Sequence, residues 1–442
     1  GHRMNSNLIL ADEAVTYLFP LYEMARMRAA TSPRRIAAGG PAGESPDSPQ
    51  RWCNTFIHAR QLLSSGKSRV VTPNNDTLYT NAWLDLSHGP LVIDVPDTAG
   101  RYYVLGLLDM YTNPFTSVGS RTTGTQARSF LVTPPGWAGE IPPEFLASGS
   151  HIASPTAWVW IIGRILIDGE HELDTVHAVQ DGFVMRGLDG SGPRRFDPGF
   201  APDTLVAGQP GAAQFARVVN AALAANPPPA EQQAAVAKFA EVGLGANLGD
   251  LDAKQLDCID LALSLCLARW READIGQNSV TGWQSMPVLG NSFGTDYTRR
   301  AVVALKYIGA LESRDAYYPM AFSDADGQAL TGAHRYRIHF AAGAFPPVDS
   351  FWSITLYDCA DFMLVPNPIH RFAIGDRTPG LHWGADGSLT IQIARHAPTE
   401  AAELANWLPA PEGRFYLCLR AYVPRDEILD GLYVVPAVER LD

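Results

Sequence analysis

Residues Trp158 to Ile167 read WVWIIGRILI. The run is about half the ~18 apolar residues a membrane span needs. Its aromatic and β-branched content, closed by Asp168-Gly169, marks a strand ending in a turn. In an extended chain Trp158, Trp160, Ile162, Arg164, Leu166 and Asp168 share one face. Working outward, LVIDV (Leu91 to Val95), YYVLGLL (Tyr102 to Leu108) and SFLVTP (Ser129 to Pro134) repeat the pattern between turn signals such as Pro96-Asp97 and Pro134-Pro135-Gly136. Strands this close, without helices between them, form antiparallel sheets, most often sandwiches.

A second β-rich region carries HRYRIHFAA near Arg335, SFWSITLYD at Ser350 to Asp358, SLTIQIA at Ser388 to Ala394 and RFYLCLRAYV at Arg414 to Val423. Between the two, Gly211 to about Gly309 is Ala/Leu-rich and helical. Ahead of both, Leu8 to Arg28 has the three-and-four apolar spacing of an amphipathic helix, with Pro20 expected to kink it. Thr31 to Gln50 and Gly187 to Gly211 read as loop and connection. The expected fold is mainly β with a helical insert: two antiparallel β-sandwich or jelly-roll-like domains joined by a helical region. Its divisions fall at 1–190 (N-terminal helix plus first sandwich), 191–320 (linker and helices) and 321–442 (second sandwich). No short-period repeat is visible, although the halves could be distant structural cousins.

The 442 residues are 46% hydrophobic and 18% charged, which excludes a disordered chain and one small module. A formal charge of -12 disfavours nucleic acid and anionic lipid. Lysine occurs only at Lys67, Lys238, Lys254 and Lys306, so the basic character is arginine. Five scattered cysteines indicate neither a disulfide framework nor a zinc cluster. No run is long enough for a membrane span, and a soluble chain is expected. Gly1-His2-Arg3 ahead of Met4 reads as a remnant, so cytoplasmic and exported locations both stay open.

Two familiar motifs fail on context. Gly243 to Gly249 (GLGANLG) has one residue too many for a dinucleotide fingerprint and follows a helix where a strand is needed. Gly290-Asn291-Ser292-Phe293-Gly294 matches a nucleophile elbow, but MPVL is too short and proline-marked for the strand an elbow requires. Ser292 or Thr295 reads instead as a helix cap. The histidines show no metal-ligand spacing, so no metal is expected.

Three polar-aromatic blocks remain. The first is Thr72 to Tyr79 (TPNNDTLY), leading to Trp83. The second runs from Arg101 through Asp109, Tyr111 and Asn113 to Arg121. There Tyr103, Leu105, Leu107, Asp109 and Tyr111 would share a strand face, desolvating Asp109 unless Arg121 or Arg164 compensates. The third is Phe351 to Asp358 and the following Leu364 to Asp376, where alternation sends Ser353, Thr355 and Tyr357 opposite to Trp352, Ile354 and Leu356. Each has a plainer reading, as turn polarity, a fold-locking Arg–Asp pair or a half-exposed strand.

At these residues the chain resembles a known family, that of the paired domains of unknown function 1254 and 1214. The phrases that carry it are PNNDTLYTNAWLDL at Pro73, GRYYVLGLLDMYTNPF at Gly100, GSRTTG at Gly119, FWSITLYD at Phe351, VPNPIHRFAIGD at Val365, DGSLTIQI at Asp386, NWLPAPEGRFYLCLRAY at Asn406 and EILDGLYVVPAV at Glu427. The resemblance implies two β-sandwich or jelly-roll-like domains joined by helices and, often, an exported bacterial protein. It implies no particular chemistry.

The expected function is a cofactor-independent enzyme, a hydrolase, lyase or isomerase, acting by general acid–base chemistry on a small organic or sugar-like molecule between the β domains. Asp76 and Asp109 are the candidate acid and base. Tyr79, Tyr111 and Tyr357 are candidate proton donors, and Arg121 or Arg164 the anion clamp. Asn75, Asn113, Asn367, Trp83, Trp158, Trp160 and Trp352 would line the substrate. The alternatives are a glycan- or protein-binding assembly protein, recognised by a flat aromatic platform, and a metal-assisted hydrolase. A homo-oligomer is compatible with all three.

Overall fold

The computed structural model describes residues 2–33, 51–62, 74–192, 195–196, 204–276 and 281–442. Most of the expected loop at Thr31 to Gln50, the Thr72-Pro73 start of the first block and part of the expected connection at Gly187 to Gly211 lie outside the described residues.

In the first half, the alternation around Trp158 resolves into two packed sheets. One has five strands in the order Ile57–His58, Thr77–Asp85, Trp158–Leu166, Tyr103–Leu108, Thr116–Gly119, all antiparallel. The other has four, Val184–Gly187, Leu91–Val95, Arg128–Thr133 and His151–Ala153, the last pairing in parallel after the short helix Pro143–Ala147. Val159, Ile161 and Ile165 meet Ile93, Phe130 and Val132 in the core between them. The other face of the Trp158 strand turns to a separate core shared with the helices.

The second half repeats this plan. Its larger sheet contains Trp283–Gln284, Met320–Ala321, Phe415–Tyr422, Trp352–Asp358 and Ala373–Gly375, with Ala316–Tyr317 also pairing to Phe415–Tyr422. Its smaller sheet runs Trp407–Pro409, Leu389–Ala394, Tyr336–Phe340, Glu439–Arg440. Trp407–Pro409 again pairs in parallel after a short helix, Ala401–Ala405. Trp352, Ile354 and Leu356 enter the core of this sandwich, as the alternation requires.

The strand order and the register of the two larger sheets correspond at matching positions. Across the first sheet, Gly119 pairs with Val104, Val104 with Arg164 and Arg164 with Tyr79. Across the second, Gly375 pairs with Ser353 and Ser353 with Arg420. The pairs Tyr317 with Ala421 and Met320 with Cys418 then place Tyr318 opposite Arg420. Gly119 and Gly375 are needed at corresponding crowded crossings: a Cβ would lie 2.3 Å from the Tyr103 carbonyl oxygen at the first and 2.1 Å from that of Trp352 at the second. The same correspondence equates Arg121 with Arg377 and Asp76 with Asp315. Ile167 N–H donates to the Asp76 carbonyl and Val423 N–H to that of Asp315, each at 2.9 Å.

The helix His2–Thr31 runs through Pro20 without interruption. It is not amphipathic as expected: from Ala14 to Ala25 every non-proline residue is buried. It contacts the helices Ala212–Ala225, Ala253–Glu272 and Tyr297–Lys306, and a helix apolar all round belongs inside. The cap of Tyr297–Lys306 is Asp296, whose Oδ1 accepts from Arg299 N–H at 3.1 Å, in place of Thr295 or Ser292. No described helix is long and apolar enough to cross a membrane.

Candidate functional site

The site grows from Asn74-Asn75-Asp76, the entry to the strand Thr77–Asp85. Asn74 shapes the turn, its Oδ1 accepting the Asp76 backbone N–H at 2.7 Å, a bond asparagine makes readily. Its Nδ2 donates to the Tyr422 hydroxyl at 2.7 Å, tying the turn to the second sandwich. The Asp76 side chain crosses the same seam. Its Oδ2 accepts from Ser353 Oγ at 2.5 Å and from the Tyr422 hydroxyl at 3.4 Å. Its Oδ1 has no hydrogen-bond partner among the described residues. Desolvation raises the Asp76 pKa above the ordinary carboxylate value, opposed by Arg420, Ser353 and Tyr422.

Asp76 lies deep yet keeps accessible surface because it faces a cleft of about 890 Å³. Asp168 to His171 form one wall, from the first half. Ile369 to Ala373, with Phe351 to Ser353, form the other. Asn75 also lines it, with a buried Oδ1 that has no hydrogen-bond partner among the described residues. Arg377 bridges the walls, its Nε and Nη2 donating to Asp168 at 2.8 and 2.5 Å. His370, on the far wall, has a left-handed φ of 50°, strain that the turn around Asn367 imposes. Asn367 donates to the carbonyls of Val365 and Arg371 and accepts from Arg371 N–H. It therefore builds the loop from within.

Behind this floor is a second cavity of about 260 Å³, lined by Asn74, Tyr79, Tyr318, Met320, Phe322 and Arg420 among others. Arg164 donates to the Tyr318 hydroxyl at 2.8 Å and stands 5.9 Å from the Tyr79 ring centroid. Arg420 lies 5.4 Å from the ring of Tyr318 and 5.7 Å from that of Tyr357, which stacks on Tyr416.

Of the expected residues, Asp76, Asn75 and Trp352 line the cleft and Tyr79 the second cavity, Arg164 and Tyr357 reach them only through Tyr318 and Arg420, and the others lie elsewhere. Asp109 and Tyr111 do not extend the strand face, because the strand ends at Leu108 and the chain turns through Thr112 at φ 67°. Asp109 Oδ1 accepts from the backbone N–H groups of Tyr111 and Asn113, and Oδ2 from Asn113 Nδ2. Tyr111 donates its hydroxyl to the Asn226 carbonyl, and Asn113 Oδ1 accepts Phe293 N–H. Arg121 is held by Asp315 and Glu312. Trp83 and Trp160 stack 5.1 Å apart in the helix-facing core, and Arg28 lies 3.6 Å over Trp158. These three indoles line neither of the two cavities, and residues of the helix His2–Thr31 cover two of them, Thr31 at Trp83 and Arg28 at Trp158.

Sequence reading passed over Tyr318, Arg420, Tyr422, Asp168 with Arg377, and Asp315 as site partners. A signal was present in the recurrence of Asp-x-x-Tyr at Asp76 and Asp315 and of Gly-x-Arg at Gly119 and Gly375. Among the described residues no group of three or more His, Cys, Asp or Glu side chains is placed to hold a metal.

Two sandwiches of one topology, covered by helices and meeting at a carboxyl-floored cleft, define a duplicated β-domain protein. The chain belongs to the family of the paired DUF1254 and DUF1214 domains: residues 53–187 match the model described as protein of unknown function (DUF1254), and residues 315–426 that described as protein of unknown function (DUF1214). It is similar in fold to the crystal structure of the VPA0106 protein from Vibrio parahaemolyticus, with 24% identity and a TM-score of 0.75 over 99% of this chain and 100% of that one. A putative uncharacterized protein from Burkholderia cenocepacia is similar at 12% identity and a TM-score of 0.44, over 100% of this chain and 96% of that one. No curated protein matches.

Proposed function

We propose that the chain is an enzyme of the hydrolase, lyase or isomerase kind, using Asp76 as its acid–base group on a small organic or sugar-like molecule in the interdomain cleft. The observation that carries this reading is the Asp76 carboxyl itself. It is desolvated, one oxygen is anchored by Ser353 and Tyr422, and the other has no hydrogen-bond partner among the described residues at the floor of the cleft. A carboxyl of raised proton affinity can hold a proton nearer neutrality and pass it to a bound oxygen. The Ser353 and Tyr422 hydroxyls stabilise the anion left behind. Asn75 lines the same cleft, and its amide offers polar groups to a substrate hydroxyl, the group a sugar-like molecule offers most freely. The reading calls on no cofactor.

The test is turnover by wild type and Asp76→Asn on a panel of small glycosides, lactones and hydroxy acids, with folding checked by circular dichroism. Turnover present in wild type and lost in the folded variant is expected. A folded Asp76→Asn variant that turns over as fast as wild type removes Asp76 from the chemistry.

A further inference from the structure

We infer that the ligand of the interdomain cleft carries a carboxylate, as a sugar acid does, and that Arg371 receives it. That this ligand is also turned over rests on the acid–base reading of Asp76; its binding rests on the cleft walls alone. The two walls differ in charge. Asp168 and Glu170 line the wall from the first half. The wall from the second half carries His370, Arg371 and Arg377, and among the described residues no acidic side chain lines it. Asp376 precedes Arg377 in the chain, but its Oδ1 accepts from Trp352 N–H at 3.1 Å and it does not line the cleft. In a chain of formal charge -12, a concave wall whose fixed charges are positive selects for anions.

The two arginines of that wall are used differently. Arg377 commits its Nε and Nη2 to Asp168. Arg371 makes no ion pair among the described residues. Its Nη1 donates to the carbonyls of Ala405 and Trp407 at 2.9 and 3.1 Å. Its backbone is pinned by Asn367, whose Oδ1 accepts Arg371 N–H at 3.0 Å and whose Nδ2 donates to the Arg371 carbonyl at 2.9 Å. The guanidinium is therefore held in place before any ligand arrives, which lowers the cost of binding. Its Nε and Nη2 have no hydrogen-bond partner among the described residues and keep solvent access. They form the same edge with which Arg377 grips Asp168. A carboxylate accepts two parallel N–H bonds along such an edge. The hydroxyls of a sugar acid have further partners in the same cleft, at Asn75 and Asp76, and the volume of about 890 Å³ admits a molecule of that size.

The experiment titrates the full chain with sodium D-gluconate and sodium D-glucuronate, against D-glucitol, D-glucose and sodium sulfate, at constant ionic strength and read by calorimetry. The two acids should bind saturably below about 10 mM, with the uncharged sugars and sulfate weaker by roughly tenfold or more. Arg371→Met should weaken both acids by roughly tenfold, bringing them to the level of the uncharged sugars. If that variant does not fold, a crystal structure of the wild-type chain grown with gluconate decides the matter: a carboxylate on Arg371 Nε and Nη2 is expected, and one seated elsewhere refutes the assignment. Equal binding of glucitol or sulfate, or undiminished binding of the acids by folded Arg371→Met, also refutes it. Asp76-dependent turnover of uncharged substrates without binding of either acid would remove Arg371 and leave the acid–base reading intact. Arg371-dependent binding of the acids without turnover would uphold this site and count against that reading.

Discussion

Asp76 and Asp315 hold the same place in the two halves of the chain, but only Asp315 is locked by arginine. Arg121 of the first half crosses to Asp315, its Nε donating to Oδ1 at 2.7 Å. Arg377, the counterpart of Arg121, crosses back to Asp168. Among the described residues Asp76 is left with hydroxyl donors and a cleft, so equivalent carboxylates have different partners and different access to solvent. The two halves thus offer the same carboxylate position with different partners, an arginine at Asp315 and hydroxyls beside a cleft at Asp76.

The two crossing pairs should differ in their contribution to stability. The Asp315 side chain is 2% exposed, and removing its partner strands a buried charge, so Arg121→Ala should cost roughly 3–5 kcal/mol. Arg377 and Asp168 are 46% and 31% exposed, and Arg377→Ala should cost about 1 kcal/mol or less. Urea denaturation of both variants checks the order, and equal losses would refute it.

Asp76→Asn should flatten the dependence of stability on pH. The raised pKa means that the folded chain keeps a proton the unfolded chain releases near its ordinary 3.8. That stabilisation is complete below 3.8 and is lost as pH rises through the higher folded value. From about pH 4 upward the variant should therefore gain on wild type. Thermal melts across pH test this; a variant that loses ground as pH rises would contradict it.

Asp109→Asn should destabilise without any selective effect on chemistry. The variant would set an amide nitrogen against donors that need an acceptor, at a cost of roughly 1–3 kcal/mol. Melting temperature and turnover should fall together only through unfolding. Loss of turnover at unchanged stability would return Asp109 to the chemistry.

Acid should weaken the link between Arg101 and Glu172. Hydrogen bonds from Arg101 come first among the causes that pull the Glu172 pKa from 4.5 down to about 2. Its contribution is present above 4.5 and disappears as pH falls toward 2. Glu172→Gln should thus be less stable than wild type at neutral pH, with the gap closing on acidification. A gap of constant size across that range would show the pair to be inert.

Ser292→Ala should leave stability and any turnover close to wild type. Ser292 Oγ accepts from Gly294 N–H at 3.0 Å in an exposed loop. A folded variant without turnover would revive the nucleophile-elbow reading.

Much of the fold was legible because strand alternation is local. The periodicity at Trp158 and at Trp352 sorted the residues onto two faces, but both faces of each strand are buried. Trp160, Ile162 and Leu166 pack on the helices, and Ser353, Thr355 and Tyr357, expected on a polar-rimmed surface, are covered. The same reasoning failed at Asp109, where the strand stops one residue earlier and a left-handed Thr112 redirects the chain, a change of direction that periodicity does not encode. It failed also at the N-terminal helix, whose apolar spacing conceals burial on every side.

From the sequence alone came the two β regions, the helical insert and the family, because each depends on residues adjacent in the chain or on phrases that can be read whole. Tertiary structure decided which of the many Asp, Tyr and Arg side chains meet. Asp76 reaches Ser353 and Tyr422, and Arg164 reaches Tyr318, only when the two sandwiches close on one another. The energies that distinguish an open carboxyl from a locked one depend on that closure, on distance and on exclusion of water, and none of these is set by neighbours along the chain.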